Sequence, residues 1–188
     1  MKNMLFIMNP KAGRTTLKNS LVDVLEVFCN NDYAVRTYLT KSADDAERIV
    51  QEEGANYDVI VCAGGDGTLG NTVTGYMKSG IKVPLGYIPC GSTNDFARSM
   101  DIPRETVEAA EMIVKAEPFS IDIGSLNDKN FVYVAAFGMF SDTSYATPQN
   151  MKNIFGHAAY VLQGIKSLAN VPSYKMKVTI DGDEQEGE

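Results

Sequence analysis

The first 119 residues alternate between short apolar segments and longer stretches with apolar residues at helical spacing. Four segments have the length and composition of strands; they cover Met4–Met8, Tyr33–Leu39, Asp58–Cys62 and Pro84–Pro89. The helical stretches cover Thr16–Asn30, the residues from the N-cap candidate Ser42 to Glu53, Leu69 to about Lys78, and Thr106–Lys115. This order is typical of an α/β fold with a parallel sheet.

The pattern changes after Pro118, where β-rich sequence replaces the alternation. Two segments flank the turn residues 127–129 and predict a hairpin; they cover Phe119–Ser125 and Asn130–Phe137. A helix over Met151–Leu168 and a strand over Tyr174–Ile180 follow, and the chain then ends in an acidic turn sequence. We therefore expect that last strand to lack its hairpin partner. The predicted organisation is an α/β domain over 1–119 and an incomplete β-rich second domain over 120–188.

Charge and cysteine usage narrow the function classes. The net charge is −7, and five of the acidic residues lie in the last eight positions of the chain. No basic patch is visible, so nucleic acid is not an expected partner. The three cysteines form no CxxC pair and His157 is the single histidine, which excludes the usual zinc patterns. Free thiols and the lack of a long apolar stretch predict a cytoplasmic protein.

The candidate chemistry lies in four turns that follow the predicted strands. In open α/β sheets, ligands bind outside the carboxyl ends of the strands. These turns are Asn9–Arg14, Thr40, Gly64–Thr68 and Gly91–Asp95. Together they supply backbone N–H donors, hydroxyl groups, carboxylates and the amide of Asn94, which is a set suited to a nucleotide and a metal ion.

The turn Gly64-Gly65-Asp66-Gly67-Thr68 is the most informative of the four. Its glycines let the backbone approach a large anion with its N–H groups. The carboxylate of Asp66 would repel phosphates unless a metal ion or a reacting hydroxyl lay between them. The combination therefore favours phosphoryl transfer over simple nucleotide storage.

A dinucleotide-binding oxidoreductase is the rival reading of the same residues. Gly65–Gly70 satisfies the pattern GxGxxG between a strand and a helix. The pattern follows the third strand rather than the first, and the fourth strand ends in Pro89-Cys90-Gly91 rather than in an acid that could bind a ribose. The residues alone favour a kinase and leave the oxidoreductase open.

Several motifs resemble those of one family, in its order and spacing. They are Asn9-Pro10 with Ala12-Gly13, Gly64–Leu69, Pro89–Arg98, Ile121–Gly124 and the region 147–160. In these motifs the chain resembles the diacylglycerol-kinase-type lipid kinases of bacteria, which are related to sphingosine kinases and more distantly to NAD kinases. The first glycine motif is shared with NAD kinases, whereas Pro89–Arg98 is similar to the lipid branch.

The resemblance implies an NAD-kinase/diacylglycerol-kinase-like nucleotide-binding domain that transfers the γ-phosphoryl group of ATP to a lipid hydroxyl, such as that of diacylglycerol, with Mg²⁺. It implies Asp66 as the catalytic residue and as a metal site, joined through water by Asp95 and Asp122. The positions that it implies for ATP are Asn9, Pro10, Lys11, Ala12, Gly13, Thr40, Gly65, Asp66, Gly67, Thr68, Leu69, Gly70, Asn71 and Ser92. Expected partners are ATP, a lipid met transiently at the membrane surface, and a second copy of the chain in a homodimer.

Two features depart from the family pattern. Gly70-Asn71 stands where the family usually has Asn-Glu, so one carboxylate near the phosphates is missing. Members of the family continue beyond the last residue of this chain with further strands and acids, so we expect little activity from these 188 residues alone. A non-catalytic nucleotide-binding or regulatory relative therefore stays open as an alternative.

Overall fold

Four parallel strands with helices on both faces form the α/β fold that the apolar pattern predicts. The computed structural model describes residues 1–12, 16–127, 129–134, 175–180 and 182–187. The strands of this sheet are β1 (Lys2–Met8), β2 (Tyr33–Leu39), β3 (Val59–Gly64) and β4 (Leu85–Pro89). The helices are α1 (Thr16–Asn30), α2 (Asp45–Glu53), α3 (Asp66–Ser79), α4 (Asp95–Ser99) and α5 (Thr106–Lys115), with a 3-10 turn at Gly54–Asn56.

The strand order is β2-β1-β3-β4, and every neighbouring pair is parallel. Met8 lies opposite both Leu39 and Ala63, and Gly64 lies opposite Pro89. The central strands β1 and β3 are buried from Met4 to Met8 and throughout β3, which explains their continuous apolar sequences. All four carboxyl ends therefore lie at one edge of the sheet.

Successive residues of β1 pack into two different cores, one on each face of the sheet. Met4, Phe6 and Met8 pack with residues of α1 and α5. Leu5 and Ile7 pack with Ile49 and other apolar residues of α2. A third cluster, on the α3 side, covers the carboxyl half of the sheet and comprises Cys62, Leu69, Val73, Tyr87, Phe96 and Ala97.

Two helix starts differ from the prediction because their first turns are held by other residues. Helix α2 follows Asp44, and Ser42 is not its cap; the carboxylate of Asp45 accepts the backbone N–H groups of Lys41 (2.6 Å) and Ser42 (3.1 Å). Helix α3 begins at Asp66, directly after β3, because Gly65 serves as its N-cap. The five-residue helix α4 was not predicted, since so short a segment shows no helical period.

Two antiparallel hairpins follow the sheet. The first pairs β5 (Gly124–Leu126) with β6 (Lys129–Phe131), so strand structure begins later than the predicted Phe119. The second pairs β7 (Met176–Ile180) with β8 (Asp183–Gly187), so the expectation that this strand lacks a partner was wrong. The sequence of β8 is charged and gave no apolar signal, but backbone pairing does not require one.

The chain divides into two units, Met1–Val134 and Ala135–Glu188. The predicted boundary between residues 119 and 120 stays a prediction. The predicted helix Met151–Leu168, the single histidine His157 and the end of the first hairpin at Phe137 lie outside the described residues. Within the described residues, no helix combines the length and the apolar character needed to cross a bilayer.

Candidate functional site

The four turns named from the sequence meet at the carboxyl edge of the sheet. The ladder of hydrogen bonds continues one residue beyond the strands there. Thr40 N–H donates to Met8 O (2.9 Å), Asn9 N–H to Ala63 O (3.0 Å) and Cys90 N–H to Gly64 O (2.7 Å). The turns therefore leave the sheet side by side and at the same height.

Asp66 is the first residue of α3 and belongs to the turn Gly64–Thr68, which together with the turn Gly91–Asp95 forms the two glycine turns of this edge. It is half-buried, and its Oδ1 accepts the backbone N–H of Phe96 at 3.3 Å. Among the described residues, nothing is hydrogen-bonded to its other carboxylate oxygen. The side chain thus connects the turn after β3 to the first turn of α4, and one oxygen stays available to a ligand.

The turn after β4 is organised by Asn94, which is only 6% exposed. Its backbone is left-handed (φ 53°, ψ 53°), and its amide folds back on Gly91. Oδ1 accepts the N–H of Gly91 and Nδ2 donates to the carbonyl of Gly91, both at 2.8 Å. The amide that the sequence suggested as a ligand is therefore used within the loop, whereas Ser92 is exposed.

The two glycine turns touch through their backbones. A Cβ atom at Gly91 would lie 2.5 Å from Cα of Gly65 and 2.7 Å from Oδ1 of Asn94. Real Cβ atoms do not approach other atoms so closely, so only glycine fits at position 91. This contact sets the distance between the turn that carries Asp66 and the turn that carries Ser92.

Tyr87 of β4 stabilises this contact, and the sequence analysis did not predict a role for this residue. It is 4% exposed, and its hydroxyl donates to Gly64 O at 3.1 Å and lies 3.4 Å from Asn94 Oδ1. Burial raises the pKa of the phenol far above its ordinary value, and the nearby charge of Asp66 raises it further. A tyrosine in an otherwise apolar strand was the available signal, because a buried phenol needs a hydrogen-bond partner.

The turn after β1 is joined to α3 by Asn9. Its Nδ2 donates to Thr68 Oγ1 (3.0 Å), and its Oδ1 accepts the N–H of Lys11 (2.9 Å). Ala12 N–H donates to the carbonyl of Asn9 (3.1 Å), while Pro10 and Lys11 are exposed. Gly13 and Arg14, the last two residues of the predicted turn, lie outside the described residues.

Thr40 follows β2, and Asn71 of α3 contacts the turn between β2 and α2. Thr40 is 6% exposed, and its hydroxyl has no hydrogen-bond partner in the described part of the chain. Asn71 Nδ2 donates to Ala43 O at 2.7 Å, so it fastens the turn between β2 and α2 to helix α3. A glutamate at this position could not make that bond, because a carboxylate only accepts. The departure from the family pattern therefore has a structural role here.

The carboxylates of Asp66, Asp95 and Asp122, which were predicted to bind a metal ion, do not form a preorganised metal site. Asp95 is half-buried at the start of α4, and Asp122 is exposed before β5. Within the described ranges, no group of three His, Cys, Asp or Glu side chains could hold a metal ion. Their metal role stays a prediction; Mg²⁺ commonly needs only one or two carboxylates, with water and phosphate completing its shell.

Comparison with known proteins places this arrangement in a family. The sequence model of the diacylglycerol kinase catalytic domain matches residues 3–126. Diacylglycerol kinases of the Staphylococcus aureus strains JH9 and Newman are each 35% identical over 191 residues, covering 100% of this chain and 60% of theirs. A crystal structure of a diacylglycerol kinase from Bacillus anthracis superposes with a TM-score of 0.75 at 29% identity, covering 99% of this chain and 61% of that one.

The chain therefore belongs to the diacylglycerol kinase catalytic domain family, as its motifs predict. It spans about 60% of the length of these curated relatives. The four-stranded sheet with its helices matches the solved relative, so the predicted fold class is confirmed.

Proposed function

We propose that this chain provides the nucleotide-binding part of a lipid kinase, which transfers the γ-phosphoryl group of ATP to a lipid hydroxyl. The contact between the two glycine turns, with Asp66 accepting from Phe96 above it, is the observation that carries the proposal. It combines the backbone of the glycine turns with the carboxylate of Asp66 at the sheet edge where α/β proteins bind ligands. Family membership supports the same chemistry.

The phosphates of ATP would lie at the start of α3. This helix has 14 residues and begins at Asp66, where the chain leaves the carboxyl end of β3 through Gly65. The positive end of a helix favours phosphate, and glycine lets the anion come close. Lys11 and the hydroxyls of Thr40 and Ser92 lie on neighbouring turns of the same edge and would bind the remainder of the nucleotide.

The residues present fit Mg²⁺ as a partner of the nucleotide. Asp66 offers one oxygen that makes no hydrogen bond among the described residues, and phosphates and water would complete the coordination. When bound, the ion neutralises charge on the transferring phosphoryl group. Asp66 would hold it directly, with Asp95 and Asp122 acting through water, and would orient the lipid hydroxyl toward the phosphorus.

Diacylglycerol is the acceptor lipid that we propose to test first, because the curated relatives carry that name. An apolar acceptor requires at least transient contact with the membrane surface. We propose that the protein acts from the cytoplasm, in line with its free cysteines, of which Cys29 is exposed and Cys62 and Cys90 are buried. A homodimer is part of the same proposal.

A non-catalytic nucleotide-binding protein is the second candidate. The bond from Asn71 to Ala43 favours it, because this residue supports a loop and cannot act as the acid that the family usually has there. The two candidates share the ATP site and differ only in phosphoryl transfer.

Transfer of radiolabel from γ-labelled ATP to diacylglycerol in mixed micelles tests the proposal. Because little activity is expected of the 188 residues alone, the assay uses the chain extended to the length of its curated relatives. The lipid kinase then predicts labelled phosphatidic acid with the wild type and about a hundredfold less with Asp66→Asn, as for the loss of one electrostatic catalytic group. Asp58→Asn is the matched control, because Asp58 also accepts one backbone N–H, from Asn3, but at the opposite edge of the sheet. ATP binding without any labelled lipid would instead support the non-catalytic candidate.

A further inference from the structure

Tyr87 lies on β4 beside the candidate site, and apolar packing alone does not explain its hydroxyl. The side chain is almost fully buried in the middle of β4, among Cys62, Leu69 and Phe96. A phenylalanine would fill that apolar cluster equally well. The hydroxyl therefore needs its own explanation, because a buried polar group costs stability unless it is hydrogen-bonded.

The hydroxyl reaches both glycine turns. It lies 3.1 Å from Gly64 O, which also accepts Cys90 N–H, and 3.4 Å from Oδ1 of Asn94. The same Oδ1 accepts the N–H of Gly91, which touches Gly65. One buried proton donor is thus shared between the end of β3 and the residue that shapes the turn after β4.

The aromatic ring makes a second connection toward Asp66. The rings of Tyr87 and Phe96 are tilted against each other with centroids 6.2 Å apart. The backbone N–H of Phe96 is the group that donates to Asp66 Oδ1. The ring and the hydroxyl of Tyr87 therefore both contact residues that fix the position of one turn relative to the other.

We propose that Tyr87 is a positioning residue whose hydroxyl holds the two glycine turns at the separation that phosphates require. The inference rests on the proposed function, since it concerns the same ATP site. Without the hydroxyl, Oδ1 of Asn94 keeps the N–H of Gly91 as a donor and loses the O–H of Tyr87. The turn after β4 is then more mobile before a ligand binds. Ordering that turn would then draw on the binding free energy, which weakens nucleotide affinity.

Two phenylalanine variants of the 188-residue chain separate positioning from general stability. Tyr87→Phe removes the hydroxyl in question. Tyr76→Phe is its matched control, because the hydroxyl of Tyr76 on α3 also donates to a backbone carbonyl, that of Val83 at 2.8 Å, and is partly buried. Each variant loses one phenol hydroxyl that donates to a backbone carbonyl, and we expect similar shifts in melting temperature.

Amide hydrogen exchange without ligand is the first readout. We expect Tyr87→Phe to speed exchange of the Cys90 and Gly91 N–H groups, which donate to Gly64 O and Asn94 Oδ1. Tyr76→Phe should leave these two amides unchanged. Unchanged protection of both amides in Tyr87→Phe would overturn the inference.

Calorimetric titration with Mg·ATP is the second readout. We expect binding to Tyr87→Phe to be about three- to tenfold weaker than to the wild type, as for the loss of one buried hydrogen bond, and binding to Tyr76→Phe to be unchanged. Equal affinities of the two variants would overturn the inference even if the wild type binds ATP. If the wild type binds no ATP, the proposed function fails, and the exchange result alone decides whether Tyr87 holds the turns together.

Discussion

Single side-chain amides and carboxylates hold the turns of the candidate site in place. Asn9 joins the turn after β1 to Thr68, Asn71 joins the turn after β2 to α3, and Asn94 closes the turn after β4. Asp45 holds the backbone of Lys41 and Ser42. The turns of the site are thus held in place by short polar side chains.

Replacing Asp45 tests one of these attachments through its pH dependence. Backbone donation from Lys41, then from Ser42, lowers the pKa of Asp45 from 3.8 to about 2. Since the folded protein binds this proton more weakly than the unfolded chain, the contribution to stability is complete above the unfolded pKa and disappears as pH falls toward 2. We expect Asp45→Asn to be less stable than wild type at pH 7, with the difference narrowing between about pH 4 and pH 2.

Urea unfolding of both proteins across this pH range provides the measurement. Asp44→Asn is the control, because Asp44 is exposed and makes no side-chain bond to the helix that it precedes. A stability difference between Asp45→Asn and wild type that does not change with pH would contradict this account.

At the level of secondary structure, the helices α2 and α3 pack unusually closely beside the site. A Cβ atom at Gly75 of α3 would overlap the carbonyl oxygen of Glu47 in α2. Lys78 and Glu47 form an ion pair (2.8 Å) across the same contact. The closeness brings Asn71 within reach of Ala43, so helix packing and the position of the β2–α2 turn are linked.

Alanine at Gly75 should force these helices apart. We expect Gly75→Ala to destabilise the fold by about 1–3 kcal/mol, the usual cost of overpacking. Gly70→Ala is the matched control on the same helix, since its Cβ would meet nothing within 4 Å. It should stabilise the fold by about 0.5–1 kcal/mol, because alanine favours helix over glycine. Chemical denaturation of both variants measures this, and equal effects of the same sign would contradict the packing argument.

How much of this could be predicted from the sequence depends on how local each feature is. The strands β1 and β3 are visible in the sequence as apolar runs. The residue types of Gly64–Thr68 are enough to indicate phosphate binding. Helix α4 and the charged strand β8 carry too few apolar residues to be seen. The bonds of Tyr87 could not be predicted because its partners lie elsewhere in the chain.

In the molecule as a whole, we propose that one edge of the parallel sheet binds Mg·ATP. Four turns from separate parts of the chain converge there, and Asp66 connects two of them. All the described contacts of the site lie within residues 1–134. Nucleotide binding there is independent of which lipid accepts the phosphoryl group.

Calorimetric titration of the chain with Mg·ATP is the direct test of nucleotide binding at this edge. We compare the wild type with Asp66→Asn, which keeps an acceptor for the Phe96 N–H but removes the charge, and with Asp58→Asn at the opposite sheet edge. NADH is titrated separately as the ligand that an oxidoreductase would bind. We expect saturable binding of Mg·ATP to the wild type and to Asp58→Asn. Binding to Asp66→Asn should be weaker by about tenfold or more, as for the loss of a charged interaction. We expect no binding of NADH to any of the three proteins. Equal affinity of all three proteins, or tight binding of NADH in place of ATP, would contradict the proposed nucleotide site.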